Sequence, residues 1–196
     1  MDCDEQSTVG GVVLAAGESV RYGDGNKLLA PVSGTPMLAR VVDVASESTL
    51  DDIVVVLGHE ADAVAETLDG VATVYNGDYA AGQSTSVRRG IAFGREAGWD
   101  AAVVLLGDMP FVDPETVDRL REAHRTGAGD IVAPRYDGRR GNPVLFARSQ
   151  FEALVGVSGD RGGRELVRSH PETVRLDTDD PGVVRDIDTV GGLSPQ

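Results

Sequence analysis

Short runs of apolar, mostly β-branched residues alternate along the chain with segments whose apolar residues recur every three or four positions. This alternation is typical of parallel strands joined by crossover helices. The apolar runs predict strands over Val9–Ala15, Ile53–Leu57, Ala72–Tyr75 and Ala101–Leu106. The periodic segments predict helices over Pro36–Ala45, Glu60–Leu68, Ser84–Ala97 and from Asp113 to about His124. We therefore expect an α/β fold with a mostly parallel central sheet flanked by helices.

Local signals mark where three of these helices begin. Thr35 is a candidate cap with Pro36 in the first turn, and Asp113 followed by Pro114 repeats this arrangement. The hydroxyl side chains at 84–86 are expected to satisfy free backbone N–H groups at the start of the third helix. Each helix is therefore predicted to start at or beside its signal.

The pattern changes after the fourth helix. Two apolar runs flank a basic turn at 137–141, which predicts a pair of strands. Ser149 and Glu152 have capping-box spacing and predict the start of a further helix. The remaining elements are strands predicted over Ile131–Pro134, Pro143–Ala147, Thr173–Leu176 and Val183–Ile187, and a helix predicted over Arg164–Ser169.

The length of 196 residues is compatible with one domain. No internal repeat, low-complexity tract or long linker divides the sequence. We expect a single domain over residues 9–190, with frayed segments at 1–8 and 191–196.

The formal charge of −14 argues against nucleic-acid binding, because affinity for a phosphate backbone requires cations clustered on one face. Aspartate is far commoner than glutamate, and the chain has a single lysine. This bias is consistent with a halophilic protein, because about 1 M salt shortens the Debye length to about 3 Å and tolerates self-repulsion. The alternative is an ordinary acidic protein. Retention of the fold at low salt, measured across molar KCl, would exclude the halophilic interpretation.

The single cysteine, Cys3, excludes a disulfide framework and a CxxC metal or redox unit. Residues 1–8 are acidic and polar and lack the plan of a signal peptide. No apolar stretch approaches the length of a membrane span. We expect a cytoplasmic protein with no membrane partner.

The loop predicted after the first strand, residues 16–30, has the composition of a phosphate-binding loop. It carries Arg21, the only lysine, Lys27, and three glycines, which offer two cations and exposed backbone N–H groups. A lysine supplies a compact point charge that suits a phosphate, although one lysine must fall somewhere by chance. The loop matches neither the Walker pattern nor the dinucleotide fingerprint. We expect it to bind a triphosphate.

A second unusual loop follows the predicted fourth strand, and ligands bind beyond the carboxyl ends of parallel strands. There Gly107 precedes Asp108, which suits Mg²⁺, an ion that takes one or two protein carboxylates together with phosphate oxygens. Asp108 would equally serve as a cap of the turn before Pro110. Asp186 and Asp188 lie on one face of a predicted strand, so Asp188 is a candidate second ligand, although aspartate is frequent in this chain.

Two other kinds of site receive no support from the sequence. His59, His124 and His170 are scattered and match no metal-ligand spacing. The hydroxyls at 84–86 lack the Gly-x-Ser-x-Gly surroundings of a nucleophile, so they are better interpreted as groups that contact the backbone or a ligand.

A series of segments, taken in chain order, resembles one enzyme family. The first is Leu14-Ala15-Ala16-Gly17-x-Ser19-x-Arg21-x-Gly23, followed by Lys27-Leu28-Leu29. The others are Asn76-x-x-Tyr79-x-x-Gly82-Gln83-Ser84-Thr85-Ser86-Val87-x-x-Gly90, Leu106-Gly107-Asp108-Met109-Pro110, Gly138-Arg139-Arg140-Gly141-Asn142-Pro143-Val144-Leu145-Phe146, Gly159-Asp160-Arg161-Gly162 and Asp186-Ile187-Asp188-Thr189. Together they strongly resemble the molybdenum-cofactor nucleotidyltransferases, which have a MobA-like NTP transferase domain.

The resemblance implies a Rossmann-like fold of the nucleotide-diphospho-sugar-transferase type. It implies a Mg²⁺-dependent transfer of CMP from CTP to a molybdopterin-type cofactor, with release of pyrophosphate and a molybdoenzyme as a possible recipient. CTP is implied because Ala15-Ala16-Gly17 goes with the cytidylyltransferase branch, whereas the guanylyltransferases usually have Ala-Gly-Gly.

The resemblance also implies a role for each matching residue. Arg21, Lys27 and Asp108 are the catalytic residues, and Asp108 and Asp188 are the metal ligands. The nucleotide-binding residues are Leu14, Ala15, Ala16, Gly17, Arg21, Lys27, Gly82 and Ser86.

Three positions depart from the family pattern. Tyr22 replaces the usual methionine, and the gap between Gly23 and Lys27 is one residue longer than the commonest form. Asn142 stands where histidine is typical, and asparagine cannot act as a general base. The departure at Asn142 bears on recognition of the acceptor.

Two alternatives follow from the same residues. One is a nucleotidyltransferase for another phosphate acceptor, such as a sugar phosphate or a polyol phosphate. The other is a nucleotide-binding protein that delivers the cofactor without catalysis. Binding alone would not demand two candidate metal carboxylates and a loop lysine, so the enzyme is the preferred interpretation.

Overall fold

The computed structural model describes residues 7–19, 25–156 and 163–187. The strands are β1 Val9–Ala15, β2 Pro31–Val32, β3 Thr35–Pro36, β4 Asp52–Leu57, β5 Ala72–Tyr75, β6 Ala101–Leu106, β7 Ile131–Tyr136, β8 Arg139–Arg140, β9 Val144–Ala147 and β10 Thr173–Asp177. The helices are α1 Met37–Glu47, α2 Ala61–Ala65, α3 Gln83–Glu96, α4 Pro114–Arg125, α5 Phe151–Gly156 and α6 Arg164–Ser169.

The main sheet of the described residues has the order β10-β7-β9-β6-β1-β4-β5, with β8 paired to β7. The pairs β1–β4, β1–β6, β4–β5 and β7–β10 are parallel, whereas β9 runs antiparallel to both β6 and β7. The small strands β2 and β3 form a separate antiparallel pair. The predicted α/β fold with a mostly parallel sheet is therefore confirmed.

Helices cover both faces of this sheet. Alternate residues of β1 point to opposite faces, so Val13 belongs to one apolar cluster and Val12 to the other. The first cluster packs under α1 and α4, and the second packs under α3, α5 and α6. Strands β1 and β6 are apolar along their whole length because both of their faces are covered.

Most predicted elements are confirmed, several at the predicted bounds. The start of α4 is one place where a local signal predicted the helix start correctly. Asp113 caps the helix by accepting a hydrogen bond from the Glu115 backbone N–H at 2.9 Å, and Pro114 occupies the first turn.

The predicted start of the first helix at Thr35 and Pro36 is wrong. These residues form β3 and pair with β2, and α1 begins at Met37. The Met37 N–H donates to the Ala30 carbonyl at 2.9 Å, so a loop carbonyl rather than a side-chain cap satisfies this helix end.

Two other predicted caps are also wrong. No side chain caps α3, which starts after Gly82; the Asn76 amide donates to the Thr85 and Ser86 hydroxyls instead. The Ser149 hydroxyl donates to Asp130 at 2.6 Å, and a short 3₁₀ turn precedes α5. In both places the hydroxyls hydrogen-bond to residues outside the helix and do not cap it.

The predicted strand over Val183–Ile187 is wrong as well. The chain forms a 3₁₀ turn over Pro181–Val184, capped by the Asp180 carboxylate. Single backbone hydrogen bonds join Val183 to Asn142 and Ile187 to Asp108, so this segment fastens two loops rather than extending the sheet. The predicted helix Glu60–Leu68 is shorter than expected, because regular α-helix ends at Ala65 and continues as a turn.

None of the helices in the described part of the chain is both long and apolar enough to cross a lipid bilayer.

Candidate active site

A cavity of about 550 Å³, here called the first cavity, opens at the carboxyl ends of β1 and β6. Ligands of open α/β sheets bind at this edge. Eight of the residues singled out from the sequence line this cavity: Leu14, Ala15, Ala16, Gly17, Lys27, Gly82, Ser86 and Asp108. The other two, Arg21 and Asp188, lie outside the described residues.

An ion pair spans the loops that follow β1 and β6. The Lys27 Nζ atom lies 2.7 Å from the Asp108 Oδ2 atom, although the two residues are 81 positions apart in sequence. Both side chains line the cavity and keep 16% and 22% of their surface exposed. The only lysine of the chain is therefore held beside the predicted metal carboxylate, where a ligand can reach both groups.

Lys27 owes its position to a 3₁₀ turn over Lys27–Leu29. The Asn26 side-chain oxygen accepts a hydrogen bond from the Leu28 N–H at 3.1 Å and caps the turn. Leu28 is buried in the first apolar cluster and fixes the turn against the sheet.

The loop that follows β6 needs a glycine before Asp108. The Gly107 N–H donates to the Leu14 carbonyl at 3.0 Å, and a Cβ atom at Gly107 would lie 2.8 Å from that oxygen. A side chain there would push the loop away from β1. Gly107 therefore holds Asp108 close to the end of β1, which sequence reasoning noted only as a glycine before a carboxylate.

The far wall of the cavity is built by the start of α3. Gly82 has a φ of 109°, a conformation that favours glycine, and it precedes the helix. The buried Asn76 amide donates to the Thr85 hydroxyl at 2.8 Å and to the Ser86 hydroxyl at 3.0 Å. This network fixes the cavity-facing hydroxyl of Ser86 relative to the end of β5.

The structure adds wall residues to which sequence reasoning gave no role. Glu18, Ser19, Tyr79 and Gln83 line the cavity. Ser19, Tyr79 and Gln83 stand inside the family-like segments, so the motif spacing was the signal that could have identified them. No sequence signal singled out Glu18.

The charges of the described cavity wall do not favour an anion by themselves. Lys27 is the cation, whereas Asp108 and Glu18 are carboxylates. The described part of the chain holds no cluster of three or more His, Cys, Asp or Glu side chains suited to a metal ion. Binding of a triphosphate here therefore requires further positive charge from outside these groups.

The C-terminal segment reaches the same site. The Ile187 N–H donates to the Asp108 carbonyl at 3.0 Å, and Ile187 is fully buried. The described residues end at this point, directly before Asp188. The predicted role of Asp188 therefore stays a prediction.

A smaller cavity of about 50 Å³, here called the second cavity, adjoins the first. Leu14, Gln83 and Leu106 line both. The rest of its wall is mainly apolar but includes Arg140, Asn142 and Arg164. Asn142, the residue that departs from the family pattern, therefore faces this second cavity.

Comparison with known proteins agrees with this geometry. Among named relatives, the chain is 33% identical over 192 residues to nicotine blue oxidoreductase of Paenarthrobacter nicotinovorans, covering 93% of each chain. It is 29% identical to the purine catabolism protein PucB of Bacillus subtilis, covering 91% of each.

Among solved structures, Rv0371c of Mycobacterium tuberculosis superposes with a TM-score of 0.82 at 33% identity, covering 95% of each chain. A second structure of that mycobacterial protein is a complex with manganese and superposes with a TM-score of 0.80. The family model of the MobA-like NTP transferase domain matches residues 11–174, which include both loops of the first cavity. The resemblance seen in the sequence is confirmed: the chain belongs to the MobA-like NTP transferase family.

Proposed function

We propose that the protein is a Mg²⁺-dependent cytidylyltransferase that transfers CMP from CTP to a molybdopterin-type cofactor and releases pyrophosphate. The observation that carries the proposal is the 2.7 Å pair of Lys27 and Asp108 inside a cavity at the carboxyl ends of β1 and β6. A metal–triphosphate complex needs one carboxylate for the ion and one ammonium for the phosphates, and this pair supplies both.

The residues present fit a divalent ion that is completed by its substrate. Mg²⁺ keeps several waters and takes one or two protein carboxylates with phosphate oxygens, so it needs no preformed protein cage. Asp108 would hold it, with Asp188 as the second ligand. Bound there, the ion would neutralise charge on the reacting phosphates. The manganese complex of the mycobacterial protein supports divalent-ion binding by a protein of this fold.

Lys27 has a different partner once substrate is bound. In the ligand-free arrangement its ammonium neutralises Asp108. With a divalent ion bound, Asp108 would hold the ion and Lys27 would pair with a phosphate oxygen of the triphosphate. Metal and nucleotide are therefore expected to bind together, because each would engage one member of the pair.

Of the other wall residues, some would contact the phosphates of the nucleotide and others its nucleoside. Arg21 would join Lys27 in neutralising the triphosphate and the leaving pyrophosphate. The backbone of 14–17 would contact the base, and Gly82 with Ser86 would line the nucleoside side. CTP is the proposed donor because of the family-like Ala15-Ala16-Gly17.

In the proposed reaction a phosphate oxygen of the acceptor attacks the α-phosphorus of CTP in line. The bond from the α-phosphorus to the oxygen that bridges to the β-phosphorus breaks, and pyrophosphate leaves with that oxygen. Alignment and charge neutralisation dominate such a step. The protein therefore needs no general base, which agrees with asparagine rather than histidine at Asn142.

The test is a matrix of donors and acceptors with the full-length chain. CTP, GTP, UTP and ATP are each incubated with Mg²⁺ and with molybdopterin, a hexose phosphate or a polyol phosphate. Pyrophosphate release and the mass of the product are measured. The proposal predicts at least about tenfold faster release with CTP and molybdopterin than with any other pair. A preference for another donor or acceptor would contradict it, and a sugar or polyol phosphate would then be the acceptor.

A second candidate is an oxidoreductase, which the name of the Paenarthrobacter relative favours. It ranks lower because a redox reaction has no need of the Lys27–Asp108 pair. Oxidation of NADH or NADPH by a dye acceptor, without pyrophosphate release from any triphosphate, would favour this candidate over the transferase.

A further inference from the structure

Three arginines from separate elements lie near the second cavity. Arg140 on β8 and Arg164 on α6 line it, and Arg175 lies on β10. In the register of the sheet, Arg140 lies opposite Arg135 of β7, and Arg175 lies opposite Ala133 of the same strand. Paired residues and alternate residues of a strand share one face of a sheet.

This shared face is the one that carries the second cavity. Ala133 belongs to the apolar cluster beneath α3, α5 and α6, together with Phe146 and Leu154 from the cavity wall. Arg140 and Arg175 therefore stand on the cavity side of the sheet. The sheet order brings them together with Arg164, although the three are well separated in sequence.

The charges of Arg140 and Arg164 have no carboxylate partner in the described part of the chain. Burial, followed by the like charges of Arg164 and Arg175, lowers the pKa of Arg140 below its usual value. The charge of the neighbouring Arg135 is compensated, because Asp177 accepts two hydrogen bonds from it at 2.6 and 2.8 Å.

Uncompensated arginines are unexpected in a chain with a net charge of −14. Arg140 is half-buried, whereas Arg164 is exposed. A half-buried guanidinium without an anion is costly, and an anion bound at Arg140 would remove that cost. Guanidinium groups present paired N–H donors that match the oxygens of a phosphate. The apolar remainder of the wall suits a ligand whose anionic group is attached to an apolar or planar body.

We propose that Arg140 and Arg164 bind the phosphate monoester group of the acceptor, whose body packs against the apolar wall at Phe146 and Leu154. The cavity of about 50 Å³ admits one end of such a ligand. Its wall is continuous with the first cavity through Leu14, Gln83 and Leu106, so the bound phosphate faces the nucleotide. The ligand is an acceptor only if the proposed function holds, whereas binding of the phosphate monoester does not depend on it.

The test uses phenyl phosphate, a phosphate monoester with a planar apolar body. Its binding to the full-length protein, saturated with CTP and Mg²⁺, is measured by calorimetry for the wild type, Arg140→Gln and Arg164→Gln. Arg140→Lys, which keeps the charge, measures how much of the effect is electrostatic. Arg125→Gln is the matched control, because this substitution removes the same charge from α4, which packs on the opposite face of the sheet.

The proposal predicts that Arg140→Gln and Arg164→Gln each weaken phenyl phosphate binding about tenfold or more, with CTP binding unchanged. Arg140→Lys restores part of the affinity, and Arg125→Gln changes neither ligand. Wild-type affinity in both glutamine variants, no binding by the wild type, or displacement of phenyl phosphate by CTP would each overturn it. Thermal unfolding of each variant verifies that the fold is intact.

The same variants separate this inference from the proposed function. If pyrophosphate release occurs but the KM for the acceptor is unchanged in Arg140→Gln, the transferase stands and the arginine site is wrong. If no acceptor yields pyrophosphate while phenyl phosphate binding still depends on Arg140, the site stands and the transferase is wrong.

Discussion

The first and second cavities share three wall residues but differ in how their charges are compensated. In the first, Lys27 and Asp108 neutralise each other, and the described wall has a further carboxylate in Glu18. In the second, Arg140 and Arg164 have no carboxylate partner among the described residues. We therefore propose that the first cavity binds metal and nucleotide together, whereas the second binds an anion through its arginines.

If the proposed function holds, this difference would let an acidic protein bring two anions into contact. A permanently cationic first cavity would hold triphosphate and pyrophosphate alike and would slow product release. An internally paired lysine and carboxylate makes affinity conditional on the metal–nucleotide complex. The acceptor phosphate would need only to be held in place, which is the role proposed for Arg140 and Arg164.

The largest expected effect is that of Asp108→Ala. Loss of the carboxylate that would hold the ion should lower turnover about 100- to 1000-fold, while phenyl phosphate still binds in the second cavity. Turnover is measured as pyrophosphate release. Because the pair with Lys27 is partly exposed, unfolding free energy should change by no more than about 1 kcal/mol. Near wild-type turnover in Asp108→Ala would remove the assigned role and end the contrast between the cavities.

Lys27→Arg tests whether the first cavity needs an ammonium in particular. The charge is kept, but a longer, planar guanidinium spreads it over a fork of nitrogens instead of placing it on one compact Nζ atom 2.7 Å from Asp108. Turnover should fall about tenfold or more, with the KM for the acceptor unchanged. Equal rates for lysine and arginine would show that any cation suffices and that the distinction between the cavities is only one of position.

Gln83→Ala addresses the wall that the two cavities share. Gln83 lines both, so its loss should raise the KM for CTP and the KM for the acceptor, each about two- to tenfold. Steady-state kinetics with each substrate varied in turn provides the measurement. An effect confined to one substrate would assign Gln83 to that cavity alone and would argue against a common boundary.

The smallest expected effect is on the stability of the fold at Asp130, which lines neither cavity. Hydrogen bonds from Ser149 and then Gln150 lower the pKa of Asp130, which fastens the start of β7 to the turn before α5. Asp130→Asn should cost about 0.5 to 1 kcal/mol of unfolding free energy at pH 7.

The pH dependence of that difference follows from the direction of the shift. A carboxyl with a depressed folded pKa stabilises the fold above its unfolded pKa of about 3.9, and this stabilisation is lost as pH falls through the folded value. The gap between wild type and Asp130→Asn should therefore begin to narrow below about pH 4 and close only below the folded pKa. Urea unfolding at a series of pH values measures it, and a gap that does not narrow as pH falls below about 4 would contradict the assigned cause.

The sheet was predictable because its strands are buried on both faces. Strands such as β1 and β6 appear in the sequence as continuous apolar runs, and their bounds were predicted without error. The last predicted strand, Val183–Ile187, failed because a short apolar run does not reveal whether a pairing partner is available. In the structure this segment makes single backbone hydrogen bonds to loop residues instead of pairing with a strand edge.

The first cavity was largely predictable for a related reason. Parallel strands deliver their following loops to one edge, so Lys27 and Asp108 had to approach each other once β1 and β6 were adjacent. Their direct pairing was not predictable, because the sequence marked both residues as ligand contacts and gave no distance between them.

The sequence alone determined the class of fold, the two loops that build the first cavity and the family to which the chain belongs, because these depend on periodicity and on local motifs. Only the tertiary structure decided which charges are compensated. Arg135 precedes the basic turn at 137–141 and Arg140 lies within it, yet Arg135 binds Asp177 across a strand pair and Arg140 lines the second cavity. Charge compensation depends on distances between elements, and sheet order and register fix those distances.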